Sequence, residues 1–241
     1  MPIEAMVERE PVTVVCSAMG WVRALGGHQP LDRPLRYKDG DGPGLVFHAE
    51  TTDRLIVWGS NGRAYALRAA DLPGGRGMGE PLRLMVDLPQ EAAVVDMFVH
   101  APGRRLVVAS SAGDGFVVPE DELLASKRAG KAVLALREGA RALRPSPAAG
   151  DHVALVGDNR KMLVVPLSDL PEMPRGKGVR LQRFKDGGLA DLAVIRLEEG
   201  LRWPDAAGRT RHQADLSDWV GRRGQAGRTA PRGFPRDNRF R

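Results

Sequence analysis

Residues 106–118 read LVVASSAGDGFVV, an apolar run, a small polar turn and a second apolar run. Ser, Asn, Asp and Gly tolerate the positive φ that a tight turn demands, so the stretch reads as a β-hairpin. The pattern recurs at residues 12–25 (VTVVCSAMGWVRAL), 55–67 (LIVWGSNGRAYAL) and 153–165 (VALVGDNRKMLVV), and in weaker form at 201–210 (LRWPDAAGRT). With Gly20, Gly62, Gly113, Arg160 and Gly208 as turn centres, the spacings are 42, 51, 47 and 48 residues. A period in this range is that of propeller blades, and it weighs against a two-sheet sandwich.

Further strand-like stretches lie between the hairpins, at 45–48, 82–86, 94–99, 133–136, 179–184 and 192–197. No long segment carries the 3.6-residue period of a helix. Single helical turns are expected only near residues 120–124 and 169–170. The expectation is an all-β, propeller-like array of about five blades.

Composition narrows the function. The chain has 241 residues, 42% hydrophobic and 27% charged, enough to bury a core. The one cysteine, Cys16, cannot form an intrachain disulfide and reads as a small buried hydrophobe. No apolar run reaches the roughly 18 residues that span a bilayer, and the first residues lack the signature of a signal peptide. A cytoplasmic protein is expected, with no membrane partner.

The net charge of +6 falls unevenly. Residues 1–200 balance 26 basic against 26 acidic side chains, while 201–241 hold 10 arginines and 4 aspartates. Arginine outnumbers lysine 30 to 6, and its planar fork suits phosphate. A high-GC genome would also favour arginine, so charge alone does not decide.

The phase of the basic residues is more telling. About 14 or 15 residues past each of four turn centres comes a glycine-basic cluster: Gly74-Gly75-Arg76-Gly77-Met78-Gly79, Arg128-Ala129-Gly130-Lys131, Arg175-Gly176-Lys177-Gly178 and Arg222-Arg223-Gly224-Gln225-Ala226-Gly227-Arg228. The first unit offers only Arg33 and Arg36 and is degenerate. Glycine permits close approach and unusual dihedrals, and Arg and Lys supply charge for a phosphodiester backbone. Four clusters at one phase would line one rim of a disc. The candidate DNA-binding residues are Arg76, Arg128, Lys131, Arg175, Lys177, Arg222, Arg223 and Arg228.

Other features carry the bland reading. His28, His48, His100, His152 and His212 have no spacing that closes a metal site. Asp39 and Asp41 have the start of a calcium loop without its remaining ligands. Trp21, Trp58 and Trp203 fall in hairpin strands and read as core, with Trp219 open. No GxxxxGK[ST] pattern is present. No metal, cofactor or catalytic residue is expected.

At these clusters, and over 74–88, 110–122, 172–188 and 230–240, the chain resembles the C-terminal domain of the A subunit of bacterial type IIA topoisomerases. It is closer to topoisomerase IV than to gyrase, in the form found in α-proteobacteria. The resemblance implies a β-pinwheel, whose blades exchange strands with their neighbours. It implies a linker over 1–9 from a missing N-terminal catalytic region, and a single DNA-binding domain over 10–240. The last ~25 residues would either complete the final blade or form a basic tail.

In gyrase-type domains a QRRGGKG box marks tight DNA wrapping. Here only the clusters at 175–178 and 222–227 match it in part, which suits a domain that holds or bends a DNA segment and biases decatenation and supercoil relaxation. The family's catalytic tyrosine does not carry over, since neither Tyr37 nor Tyr65 has a nucleophile's context. The implied partners are duplex DNA, the catalytic part of the same polypeptide, the B subunit of the parent enzyme, which the resemblance implies is ATP-dependent, and a condensin-type protein. The implied place is the nucleoid. A propeller-like protein-interaction scaffold is the alternative; a propeller enzyme would need repeat-phased acids or histidines, which are absent.

Overall fold

The computed structural model describes residues 7–240, so residues 1–6 of the expected linker lie outside the described part. Just beyond them, the carbonyl of Glu8 and the amide of Glu10 both bond the Thr51 hydroxyl. The strands, in chain order, are β1 (Pro11–Cys16), β2 (Trp21–Gly26), β3 (Leu45–Glu50), β4 (Arg54–Gly59), β5 (Arg63–Arg68) and β6 (Glu80–Pro81). There follow β7 (Val94–Val99), β8 (Arg105–Ala109), β9 (Asp114–Pro119), β10 (Lys131–Ala132), β11 (Ser146–Pro147) and β12 (His152–Gly157). The last are β13 (Lys161–Pro166), β14 (Val179–Arg180), β15 (Leu189–Ile195), β16 (Leu201–Pro204), β17 (Thr210–Gln213) and β18 (Arg228–Thr229). The helical content of the described residues is a few single 3₁₀ turns, among them Glu120–Leu123 and Leu167–Asp169.

All five hairpins form: β1–β2, β4–β5, β8–β9, β12–β13 and β16–β17. Their turns share one construction. The turn centre takes positive φ in each, at 84°, 74°, 92°, 64° and 79° for Gly20, Gly62, Gly113, Arg160 and Gly208. Each donates its amide to the carbonyl three residues back, at 2.9–3.0 Å. A short connection of three to five residues, with its left-handed residue at or next to the end, fits the right-handed twist of the strands it joins.

The chain divides into two compact units, residues 1–102 with 123–131 and residues 103–122 with 132–241. The first builds on the sheets β3-β1-β2-β6 and β10-β5-β4-β7, the second on β11-β8-β9-β14, β15-β12-β13-β18 and the two-stranded β16-β17. About five blades are thus four full sheets and one bare hairpin. The leading hairpin strands β1, β4, β8 and β12 are buried at all but their first residue, on both faces. That is why they read as continuous apolar runs rather than alternating ones. Val14, Val22, Leu55 and Val57 centre the core of the first unit, and Val107, Leu155, Leu163 and Leu192 that of the second.

The short strands close the sheets by exchange. β6 follows the second hairpin in sequence but pairs back onto β2 of the first. β14 pairs back onto β9, and β18 onto β13. Residues 82–86, expected as a strand, are a 3₁₀ turn at Leu82–Leu84 instead. A strand would bury positions 82, 84 and 86 together. Here Leu84 is 63% exposed while Leu82 and Val86, four apart, are buried. Residues 133–136 likewise form no strand of their own; Leu134 makes a single bridge to Gly176.

The C-terminal segment is folded. Leu216, Ala230 and Phe234 are buried with Leu201 and Trp203, and the Trp203 indole donates to the Gly233 carbonyl at 2.8 Å. Arg160 holds it from the turn, donating to the carbonyls of Pro235 and Phe234 and to Asn238 Oδ1, each at 3.0 Å. This arginine sits where glycine would cost less, because left-handed backbone costs a β-carbon about 1–2 kcal/mol. Three hydrogen bonds at about 1 kcal/mol each outweigh that strain. Arg160→Gly should therefore lower stability by about 1–2 kcal/mol although it relaxes the turn. Limited proteolysis should then cut first within residues 231–240; resistance equal to the parent's would show the contacts to be idle.

Cys16 lies buried in β1, and burial, with Asp41 nearby, pushes its thiol up to about 12. The thiolate is the reactive form. At pH 8 the native chain should leave a disulfide reagent unreacted and release one thiol only on unfolding. Prompt titration of the folded chain would contradict this burial.

Candidate nucleic-acid interface

Each glycine-basic cluster is the loop that leads into an exchanged strand. In the clearest cases the loop is an arch with both feet on one hairpin strand. At 74–81 the first foot is the parallel bridge of Gly74 to Ala24, and the second is the pairing of β6 with Val22 and Trp21. At 172–180 the feet are Glu172 on Val117 and β14 on Gly115 and Asp114. At 220–229 they are Val220 on Val164 and β18 on Met162 and Lys161. The loop at 128–130 is pinned differently. Arg63 of β5 grips the carbonyls of Ala129 and Gly130, at 2.8 and 3.3 Å from Nη2, and the Arg128 carbonyl accepts from the Asp87 amide.

The last glycine of each arch explains why the clusters contain glycine. Gly79, Gly130, Gly178 and Gly227 all have positive φ, between 73° and 86°. A β-carbon there would overlap the carbonyl oxygen of Val22, Ala64, Gly115 or Met162 respectively. The close approach expected of these glycines is thus to the chain's own hairpin strand. It turns the arch into its short strand.

The basic side chains are left on the outside. Arg76, Arg175, Lys177, Arg222 and Arg228 are exposed, and none has a side-chain hydrogen bond or ion pair among the described residues. Arg128 is partly committed, 3.4 Å from Asp87 and donating to the Leu84 carbonyl at 2.9 Å. Lys131 opens β10 and is half-buried. Arg223 donates to the Arg180 carbonyl at 3.1 Å, and Gly224 to that of Leu181, so the arches at 175–180 and 222–228 adjoin within the second unit. Arg76, Arg128 and Lys131 belong to the first unit. Reading the sequence missed Arg63, whose guanidinium donates to the carbonyls of Ala129 and Gly130, and Arg180, whose own carbonyl accepts from Arg223; both lie in strands.

Other marked residues are occupied structurally. His28 and His48 stack at 4.5 Å, and His152 bonds Asp151 at 2.8 Å. Among the described residues no group of three His, Cys, Asp or Glu could hold a metal. Asp41 accepts from the amides of Met19 and Gly42, which caps the first hairpin. Trp58 and Trp203 are buried. Trp21 is covered by the Lys38 ammonium 3.8 Å away, and the Trp219 indole donates to the Thr229 carbonyl. No helix among the described residues is long and apolar enough to cross a membrane.

Hairpins with exchanged short strands, each entered through a basic arch, define a β-pinwheel, a propeller-like all-β fold. A family model described as the DNA gyrase C-terminal domain, beta-propeller, matches residues 104–143 and 151–195. The solved C-terminal domain of ParC from E. coli is similar at a TM-score of 0.80 and 34% identity, over 94% of this chain and 96% of that one. A DNA gyrase A C-terminal domain, with 14% identity and a TM-score of 0.68 over 95% of this chain and 80% of that one, shares the fold. The A subunit of DNA topoisomerase 4 from Caulobacter vibrioides is 46% identical over 240 residues, 99% of this chain and 31% of the relative. Its counterpart in Escherichia coli K12 is 38% identical over 200 residues, 79% of this chain and 26% of that protein. The chain belongs to the family of C-terminal domains of the topoisomerase IV A subunit. It spans under a third of the curated relatives it matches.

The glycine argument is tested within one arch. Gly79→Ala should cost at least about 2 kcal/mol, from left-handed backbone and overlap with a carbonyl. Gly77→Ala, which meets open space, should stay within about 0.5 kcal/mol. Equal urea midpoints for the two variants would refute the role given to Gly79.

Proposed function

We propose that this chain is a non-catalytic domain that binds duplex DNA without sequence preference through its basic arches. The observation that carries the reading is the equivalence of the clusters. Each is set at the same point of its repeat, on the entry to an exchanged strand, and presents exposed arginine or lysine. A solvated arginine with no internal partner is free to neutralise a phosphate. Successive arches read backbone position and bendability rather than base edges. Membership of the topoisomerase IV family supports the same role.

In the longer protein the domain would hold or bend one DNA segment and bias the choice among DNA topologies, toward decatenation and supercoil relaxation. Strand passage itself would belong to the catalytic part of the polypeptide together with the enzyme's B subunit. The setting would be the bacterial cytoplasm at the nucleoid, where a condensin-type protein is a further partner.

Neutralised phosphates release counterions, at about −0.9 in the log–log salt slope per contact. Four arches reaching one or two phosphates each should give a slope of roughly −4 to −7 on plain duplex DNA. Changing Arg175 and Lys177 together to Ala should weaken binding equally on unrelated sequences and flatten the slope by about 1–2. An unchanged slope in a folded variant would turn the reading toward a protein-interaction scaffold.

A further inference from the structure

Each exchanged strand that follows an arch runs on into a segment that bonds the next arch along the chain. In the first unit the Asp87 amide, beyond β6, donates to the Arg128 carbonyl at 2.8 Å, and Arg128 Nη2 donates to the Leu84 carbonyl at 2.9 Å. In the second unit the Gly176 amide donates to the Val133 carbonyl, just beyond β10, and the Gly176 carbonyl accepts from Ala135, both at 2.9 Å. Beyond β14 the joint has the most bonds. Gly224 donates to the Leu181 carbonyl at 2.8 Å and Arg183 to that of Gln225 at 3.2 Å, both from the backbone. Two side chains add to these: Arg223 Nη1 donates to the Arg180 carbonyl at 3.1 Å, and Gln182 Nε2 to the Ala226 carbonyl at 3.0 Å.

Gln182 is the informative member. It is fully buried, and its Nε2 donates a second bond to the Lys161 carbonyl of β13, at 3.0 Å. One amide group thus fastens the arch at 220–229 both to its own hairpin and to the segment leaving the arch before it. The oxygen of the same amide, Oε1, has no hydrogen-bond partner among the described residues. A buried acceptor left unpaired is costly. An apolar side chain of similar size would fill the space without that cost, so what the amide contributes is the link. Arg223 carries the same message from the surface. Its neighbour Arg222 keeps its side chain free of partners among the described residues, whereas Arg223 commits its guanidinium to a backbone carbonyl of the preceding arch.

Such a joint matters because duplex DNA is stiff, with a persistence length of about 150 base pairs. The blades of a propeller are set around an axis, so arches on successive blades of the second unit lie on an arc rather than a line. Anchors that give way would settle along a straight duplex. Anchors that are held make the duplex follow them.

We infer that Arg223 and Gln182 are positioning residues, which keep the arch at 222–228 at a set place relative to the arch at 175–180 and so make the domain select curved over straight duplex. Neither side chain touches DNA in this role. The inference rests on the arch reading of DNA binding, and it takes Arg223 out of the phosphate contacts and gives it control of DNA shape.

The test compares two duplexes of equal length and charge, one straight and one curved by phased A-tracts, each titrated with the whole chain by fluorescence anisotropy. The parent should bind the curved duplex roughly fivefold tighter or more. Arg223→Ala should remove at least about half of that preference while the salt slope on the straight duplex stays at the parent's value. Arg222→Ala should do the reverse, flattening the slope by about 1 and keeping the preference. Adding Gln182→Leu to Arg223→Ala should abolish the preference; if the unfolding midpoint shows that this buried change disrupts the fold, the single variant decides. The two ways of failing are distinct. A parent that binds neither duplex overturns the arch reading and this inference with it. A parent that binds both duplexes equally, or an Arg223→Ala variant that keeps the full preference or flattens the slope as Arg222→Ala does, overturns the positioning role alone.

Discussion

An open strand edge is the constraint on which this architecture depends. In each full sheet the second hairpin strand would present unpaired N–H and C=O groups along its outer side. A row of such groups is an invitation to wrong pairing. The chain satisfies that edge with two-residue strands brought back from the next repeat: β6 on β2, β14 on β9 and β18 on β13. So short a strand has little pairing energy of its own, so it must be delivered in register. The glycine pressed against the hairpin carbonyl does this, since only a residue without a β-carbon brings the two backbones together with positive φ. The arch and its basic side chains are the length of chain needed to reach that glycine.

The hairpins were legible in the sequence because their signal is local. Apolar runs such as those at 55–58 and 153–156, and turn residues near 62 and 160, lie within a dozen positions of each other. The repeat also marked Arg160 as a turn centre despite its side chain, and its φ of 64° bears that out. The exchanged strands were harder to see. Two residues such as Glu80-Pro81 carry no periodicity, and the apolar pattern just after them, at 82–86, imitates a strand while serving a 3₁₀ turn. The core positions there are Leu82 and Val86, and nothing local tells a spacing of four from a spacing of two when position 84 is also leucine.

For the interface, the sequence disclosed which residues are basic and that they recur in phase. It did not disclose what the glycines do, because their partners, Val22, Ala64, Gly115 and Met162, lie 57 to 66 positions earlier. Nor could it show that Arg63 and Arg223 are drawn into holding backbone carbonyls while Arg175 and Lys177 are left in solvent. Arg23 was the least legible of all. A lone arginine in an apolar strand reads as a solvent-facing alternation, and only its neighbours, the carbonyls of Arg36 and Gly77 to which it donates, show it to be enclosed.

Strand exchange also sets a timetable for synthesis. As the chain leaves the ribosome, the hairpin ending at Gly26 waits for Glu80, the hairpin ending at Pro119 for Val179, and the hairpin ending at Pro166 for Arg228. Each sheet therefore stays open on one side while some fifty or sixty further residues are translated, a delay of several seconds at ordinary elongation rates. During that interval its exposed edge is most vulnerable to a neighbouring nascent chain carrying the same repeat. The charged, glycine-rich arch that immediately precedes each exchanged strand is a poor strand former, and so does not itself take the edge in the wrong register before the proper two residues reach it.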